Sequence, residues 1–278
     1  MNLLSMEMFF RKLGSGSPLI IIHGLYGSSD NWLTIGKELA RDFEVYLVDL
    51  RNHGNSPHTD RHSYALMKLD LLEFLDRHDI EKAVLIGHSM GGKVAMVFAL
   101  EFPERITSLV VIDIGPKSYH SLKDYSSQAN DHMNILIGMQ SIDFSKVKTR
   151  EDVDIQLSSF VKSSKVRNFL LKNIRRERDN IFSWKINVPV LIKELPSVLE
   201  GLDPKIAGIT GFPVLFVKGG NSDYLLDEDF PEIKNFFPTA EFITIPDAGH
   251  WLHAEQPELL LKALWNFLVM LKTVKRDE

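Results

Sequence analysis

Short, uninterrupted apolar runs alternate along this chain with longer stretches of helical period. The runs Leu19-Ile20-Ile21-Ile22 and Ala83-Val84-Leu85-Ile86 show no polar alternation, as expected of strands covered on both faces in a parallel sheet. Strands are expected near Met6–Lys12, Pro18–His23, Phe43–Asp49, Lys82–Gly87, Ser108–Ile114, Pro213–Lys218 and Glu241–Ile245. Between them, Asp30 reads as the N-cap of a helix through Arg41. Ser63 reads as the cap of a second helix through Arg77, whose Leu66, Leu69, Leu72 and Leu75 share a face. A last helix from about Pro257 repeats Leu260, Leu264, Phe267 and Leu271 at helical spacing. This order predicts an α/β protein with a mostly parallel central sheet flanked by helices.

The rhythm breaks after Gly115. From there to about Asp203 the chain is rich in polar and charged residues, with helical segments such as Val161–Arg176 and no convincing buried strand. The expected organisation is one core in two parts, residues 1–114 and 206–278, interrupted by a helical cap or lid insertion at 115–205.

Composition narrows the function. The 278 residues are 44% hydrophobic and 25% charged, with a net charge of -5, so no basic field is available to hold a nucleic-acid backbone. Met1 to Phe10 lacks a basic start followed by an apolar run, and no later stretch approaches the roughly 18 apolar residues of a membrane span. A cytoplasmic monomer or homodimer acting on a small molecule is the resulting expectation. With no Cys, a thiol nucleophile and Cys-based zinc sites are excluded.

The sharpest motif is Gly87-His88-Ser89-Met90-Gly91-Gly92, which follows an apolar strand and opens a helix expected over Lys93–Leu100. That context gives a G-x-S-x-G pattern its meaning: a tight strand-to-helix turn lifts the serine from the sheet edge, and its crowded neighbours must be small. Negative charge developing on an attacked carbonyl oxygen would meet the N–H of Met90 at the helix start. A second donor is expected from the His23-Gly24-Leu25-Tyr26-Gly27 loop, at the Leu25 N–H.

A serine hydroxyl needs a base, and of the ten histidines only His250 lies in a loop past a late strand, after both the serine and every candidate acid. His88 occupies a variable motif position, His23 reads as part of the oxyanion loop, and His253 as outward-facing. His58 and His62 have metal-like spacing but lie in what reads as a solvated polar loop, so no metal site is assigned. The acid is open between Asp223, which follows the Pro213–Lys218 strand, and Asp113, which ends the Ser108–Ile114 strand. Asp49 precedes the serine and reads as structural. His23, Gly24, Trp184 and Trp251 are the candidate substrate-binding residues, with Phe169 and Phe182 shaping the pocket from the insertion.

At these residues the chain resembles the α/β-hydrolase superfamily over nearly its whole length. His23-Gly24, Asp49 to Ser56, Gly87 to Lys93 and Asp247 to Ala254 resemble a narrower group, the bacterial YbfF-like acyl esterases and their mitochondrial abhydrolase-domain relatives. The resemblance implies hydrolysis of acyl esters, with acyl-coenzyme A thioesters as a second class, and no metal or organic cofactor. It also favours Asp113, since relatives commonly carry a neutral residue where this chain has Asp223. Cofactor-free haloperoxidase or lyase-type chemistry on the same fold, or a ligand sensor that has lost catalysis, are the alternatives.

Overall fold

A computed structural model describes residues 6–120, 127–177 and 181–274. Seven strands form one sheet in the order β1-β3-β2-β4-β5-β8-β9: β1 (Phe10–Leu13), β2 (Ser17–Ile22), β3 (Phe43–Val48), β4 (Ala83–His88), β5 (Ile106–Ile112), β8 (Val214–Gly219) and β9 (Ala240–Ile245). Only β1 runs antiparallel, against β3; the other pairings are parallel. The short β6 (Ile174–Arg176) and β7 (Phe182–Trp184) form a separate antiparallel pair. The helices are α1 (Leu33–Leu39), α2 (Tyr64–Arg77), α3 (Met90–Glu101), α4 (Ser127–Gln140), α5 (Arg150–Leu157), α6 (Ser164–Leu171), α7 (Val188–Leu199), α8 (Phe230–Phe236), α9 (Leu252–Glu255) and α10 (Pro257–Val274).

The unbroken apolar runs are explained by two cores. Leu19 and Ile21, Val84 and Ile86, and Val110 and Ile112 face Trp32, Ile35, Leu264 and Phe267 on one side of the sheet. Ile20 and Ile22, Leu85, and Leu109 and Val111 face Met67, Phe74, Val94 and Phe98 on the other. Successive side chains point to opposite faces, so each strand needs apolar residues at both parities. At roughly 25 cal/mol per Å² of apolar surface removed from water, these two layers are the main source of stability.

Several elements depart from the sequence expectation. The first strand is Phe10–Leu13, shorter and later than Met6–Lys12. Asp30 caps no long helix; a 3-10 turn spans Ser29–Trp32, α1 ends at Leu39, and the Asp30 carboxylate meets Arg11 at 2.6 Å. Ser63 does cap α2, accepting from the Leu66 N–H. Of its expected stripe Leu66 and Leu75 are buried, but Leu69 and Leu72 are only half-buried, and Met67, Leu71 and Phe74 complete the buried face. The elbow helix starts at Met90, not Lys93. In the segment between β5 and β8, Val161–Arg176 is not one helix: α6 stops at Leu171 and the chain turns into β6. Three-residue strands are too short for period-2 alternation to register. Leu260, Leu264 and Phe267 are buried as expected, whereas the side chain of Leu271 lies outside the described residues.

The segment between β5 and β8 packs over the sheet's C-terminal edge and is fastened to α3. Lys93, nearly fully buried, donates to the Lys117 carbonyl at 3.0 Å and to the Glu200 carbonyl, one at each foot of the insert. Burial pulls its pKa down to about 7. Tyr64 adds a bond to the Val198 carbonyl at 2.7 Å.

Candidate active site

The turn from β4 into α3 is compressed. A Cβ on Gly87 would lie 2.3 Å from the Gly91 oxygen, and one on Gly91 would lie 2.4 Å from the Ile22 oxygen. Ser89, between them, has φ 54° and ψ −122°, a conformation that costs a non-glycine residue on the order of 1–3 kcal/mol. The surrounding ladder holds it, since the Ser89 N–H donates to the Ile112 carbonyl at 3.0 Å. The hydroxyl is thereby presented beyond the sheet edge.

His250 enters from the loop after β9, and its Nε2 lies 3.0 Å from Ser89 Oγ. Its Nδ1 lies 2.8 Å from Asp113 Oδ2. Asp113 is fully buried; its Oδ1 accepts from the Gly219 N–H at 2.9 Å and its Oδ2 from the Ser222 hydroxyl. These donors compensate a carboxylate out of contact with water. Asp223 is exposed and lines the pocket mouth, with no hydrogen bond to His250.

Three further contacts aim the imidazole, and the sequence reading attached none of them to it. Tyr224 stacks on the His250 ring at 3.7 Å between centroids. His88 Nε2 donates to the His250 carbonyl at 2.8 Å. Burial, together with nearby His250 and His253, holds the pKa of His88 well below the usual value, so it donates as neutral imidazole. Glu255 accepts from the N–H groups of Gly249 and Trp251, at 3.1 and 3.3 Å, on either side of His250. Burial would raise this carboxyl, but Lys165 and the two N–H groups hold it below the usual range. A variable motif position and a glutamate five residues on carry no pattern that marks them in sequence.

The loop after β2 is held by several side chains. His23 Nδ1 donates to the Gly24 carbonyl at 2.8 Å while its Nε2 accepts from the Leu50 N–H at 3.0 Å. His53 Nε2 accepts from the Tyr26 N–H at 3.3 Å, and Asn173 donates to the Tyr26 carbonyl at 2.7 Å. The N–H groups of Leu25 and Met90 have no acceptor among the described residues, and both residues line a small cleft with Ser89.

A cavity of about 230 Å³ opens above Ser89, with Leu25, Ile135, Val166, Phe169 and Trp251 on its apolar side. Of the candidate substrate-binding residues, only Trp251 lines it. His23 is consumed by backbone bonds, and Gly24 packs against the His88 and Ser89 side chains. Trp184 points away, donating to the Met139 carbonyl at 2.8 Å. Phe182 is buried within the insert, apart from the cavity.

Other histidines correct the sequence reading. His253 is buried and stacks on Trp32 at 4.5 Å. His62 is fully buried beside Met90 Sδ at 3.4 Å, not solvated, while His58 is exposed and bonds the Lys185 carbonyl. The pair does not converge. Asp49 accepts from the N–H groups of Ser29 and Asn55 at 2.6 and 2.8 Å, pinning its loop.

Residues 17–134 match a family model described as the alpha/beta hydrolase fold. The chain is 38% identical to the sn-1-specific diacylglycerol lipase ABHD11 of Xenopus laevis, over 91% of this chain and 80% of that protein. It is 35% identical to Esterase YbfF of Escherichia coli K12, over 91% of this chain and 94% of the relative. The chain belongs to the α/β-hydrolase family. Within α/β-hydrolases its similarity runs to the esterase and lipase type. A solved structure described as a marine microorganism esterase superposes with a TM-score of 0.90 at 46% identity, covering 95% of this chain and 100% of that one. The mostly parallel seven-stranded sheet is that of this family. Among the described residues no helix is long and apolar enough to cross a membrane.

Proposed function

We propose that this esterase-type α/β-hydrolase cleaves carboxylic esters of small molecules in two acyl-transfer steps, with thioesters as a second class. Ser89 Oγ attacks the acyl carbon as His250 Nε2 takes its proton. Asp113 keeps the imidazole in the Nδ1–H tautomer and offsets the imidazolium charge. The amides of Leu25 and Met90 receive the oxyanion, where fixed dipoles need no reorganisation as charge develops. His250 then protonates the leaving group, and a water deprotonated by His250 attacks the acyl-enzyme to free the acid.

The observation that carries this reading is the continuous chain Ser89 Oγ, His250 and Asp113, linked at 3.0 and 2.8 Å. The apolar cavity directly above it supports an acyl group as the bound part. Replacing Ser89 by Ala is expected to lower kcat on p-nitrophenyl butyrate by on the order of 10⁶, and to abolish labelling by a fluorophosphonate. Near-normal turnover in Ser89→Ala overturns the proposal.

A further inference from the structure

The wall of the Ser89 cavity is part apolar, part acidic. Leu25, Ile135, Val166, Phe169 and Trp251 give it apolar lining, Asp131 and Asp223 add two carboxylates, and among the described residues no Lys or Arg lines the cavity. Both aspartates are exposed, so they stand at the opening and the acyl-sized interior lies beneath them.

These carboxylates differ from their neighbours. Close by, Asp229 is neutralised by Lys117 at 2.7 Å and Glu255 by Lys165 at 2.8 Å. Asp131 and Asp223 have no ion-pair partner among the described residues. Their spacing is not left to loop motion. Each immediately precedes a residue of a cross-link, in which Tyr224 Oη lies 3.0 Å from His132 Nε2 and joins the insert to the loop after β8. Partial burial, then the proximity of Asp223, raises the pKa of Asp131 above the ordinary aspartate value. The two side chains therefore sense each other electrostatically.

We propose that Asp131 and Asp223 form a charge filter at the mouth of the Ser89 cavity, selecting esters whose protruding group is neutral or cationic over those whose protruding group is anionic. This rests on the acyl-transfer reading and narrows it. An acyl chain seated on Ile135, Phe169 and Trp251 leaves the far end of the ester, or its leaving group, between two negative charges. An ammonium there gains from both, and a carboxylate, sulfonate or phosphate is repelled by both. The filter ranks acyl-coenzyme A, with its phosphate-bearing handle, below uncharged esters of equal acyl length.

The test uses three butyrate esters of nearly equal shape: choline, 3,3-dimethylbutyl and isethionate, with charges of plus one, zero and minus one. At water-like screening, two carboxylates separate the outer members by on the order of thirtyfold in kcat/KM. The expected order in the wild-type enzyme at low salt is choline, then dimethylbutyl, then isethionate. That spread is expected to shrink several-fold in about 0.5 M salt, where screening acts within about one side-chain length. It is expected to shrink to about fivefold in D131N and toward unity in D131N/D223N. A flat series in the wild type, or a spread unmoved by salt and by both substitutions, overturns the filter. Fluorophosphonate labelling of Ser89 separates the two levels: labelling with a flat series sinks the filter alone, whereas no labelling and no turnover of any ester sinks the acyl-transfer reading and the filter with it.

Discussion

The ring of His250 bonds Asp113 through Nδ1 at 2.8 Å while its own carbonyl accepts from His88, also at 2.8 Å. Asp113 has φ 52°, a left-handed conformation at the very end of β5, and this swing turns its carboxylate toward the loop after β9. Converting Asp113 to Asn is expected to cost about four decades in kcat, because the amide favours the wrong imidazole tautomer. Asp223→Asn, at the pocket mouth, is expected to lose less than about tenfold on an uncharged ester. Parallel kinetics on p-nitrophenyl butyrate decide between them, and a larger loss at Asp223 reverses the assignment. Position alone left these acids open because both follow a strand at the sheet's C-terminal edge, and only the family resemblance favoured Asp113; what separates them in the fold is a dihedral angle that no residue type announces. By contrast Ser89 and His250, which the elbow motif and chain order single out, stand 3.0 Å apart. Motifs legislate backbone shape, and here the backbone shape was written in Gly87 and Gly91.

At the level of elements, the legible parts were those with strong periodicity. Strands β2, β4, β5 and β8 of the central sheet were placed within a few residues because both faces of each are apolar, and α2 begins at its capping serine. The insert was not legible: its hairpin pairs only Ile174–Arg176 with Phe182–Trp184, and short, partly polar elements draw their position from packing partners distant in sequence. One junction between elements gives a direct prediction. The start of α3 lies so close to the end of β2 that a methyl group at position 91 would fall 2.4 and 2.5 Å from the Ile22 and His23 oxygens. Backbone cannot yield as a side-chain tip does. Gly91→Ala is therefore expected to cost about 1–3 kcal/mol in urea denaturation and to slow fluorophosphonate labelling of Ser89. A variant matching wild type in both measurements removes this crowding argument.

For the whole molecule, the buried histidines set the acid limit. His62, His132 and His253 have pKa values lowered by burial to about 3, 4 and 3. Burial also lowers His23, His53 and His88, the last two well below 6.5. In the unfolded chain each takes up a proton near 6.5, whereas the fold disfavours the charged ring. The unfolded state therefore binds more protons below that pH, and stability is present above about 6.5 and lost as pH falls. His62, His132 and His253 each contribute up to about 2 kcal/mol of that loss by pH 5, and these three together reach the lower end of the 5–15 kcal/mol that holds a typical domain. Urea midpoints at pH 7.5, 6 and 5 are expected to fall steeply; a flat profile sinks this account. The anchoring of the insert has a mechanical counterpart. Because one lysine on α3 grips both feet of the roof, a force that lifts those feet is passed to the helix whose first turn follows Ser89, so a guest that strains the ceiling tugs at the floor on which it is to react.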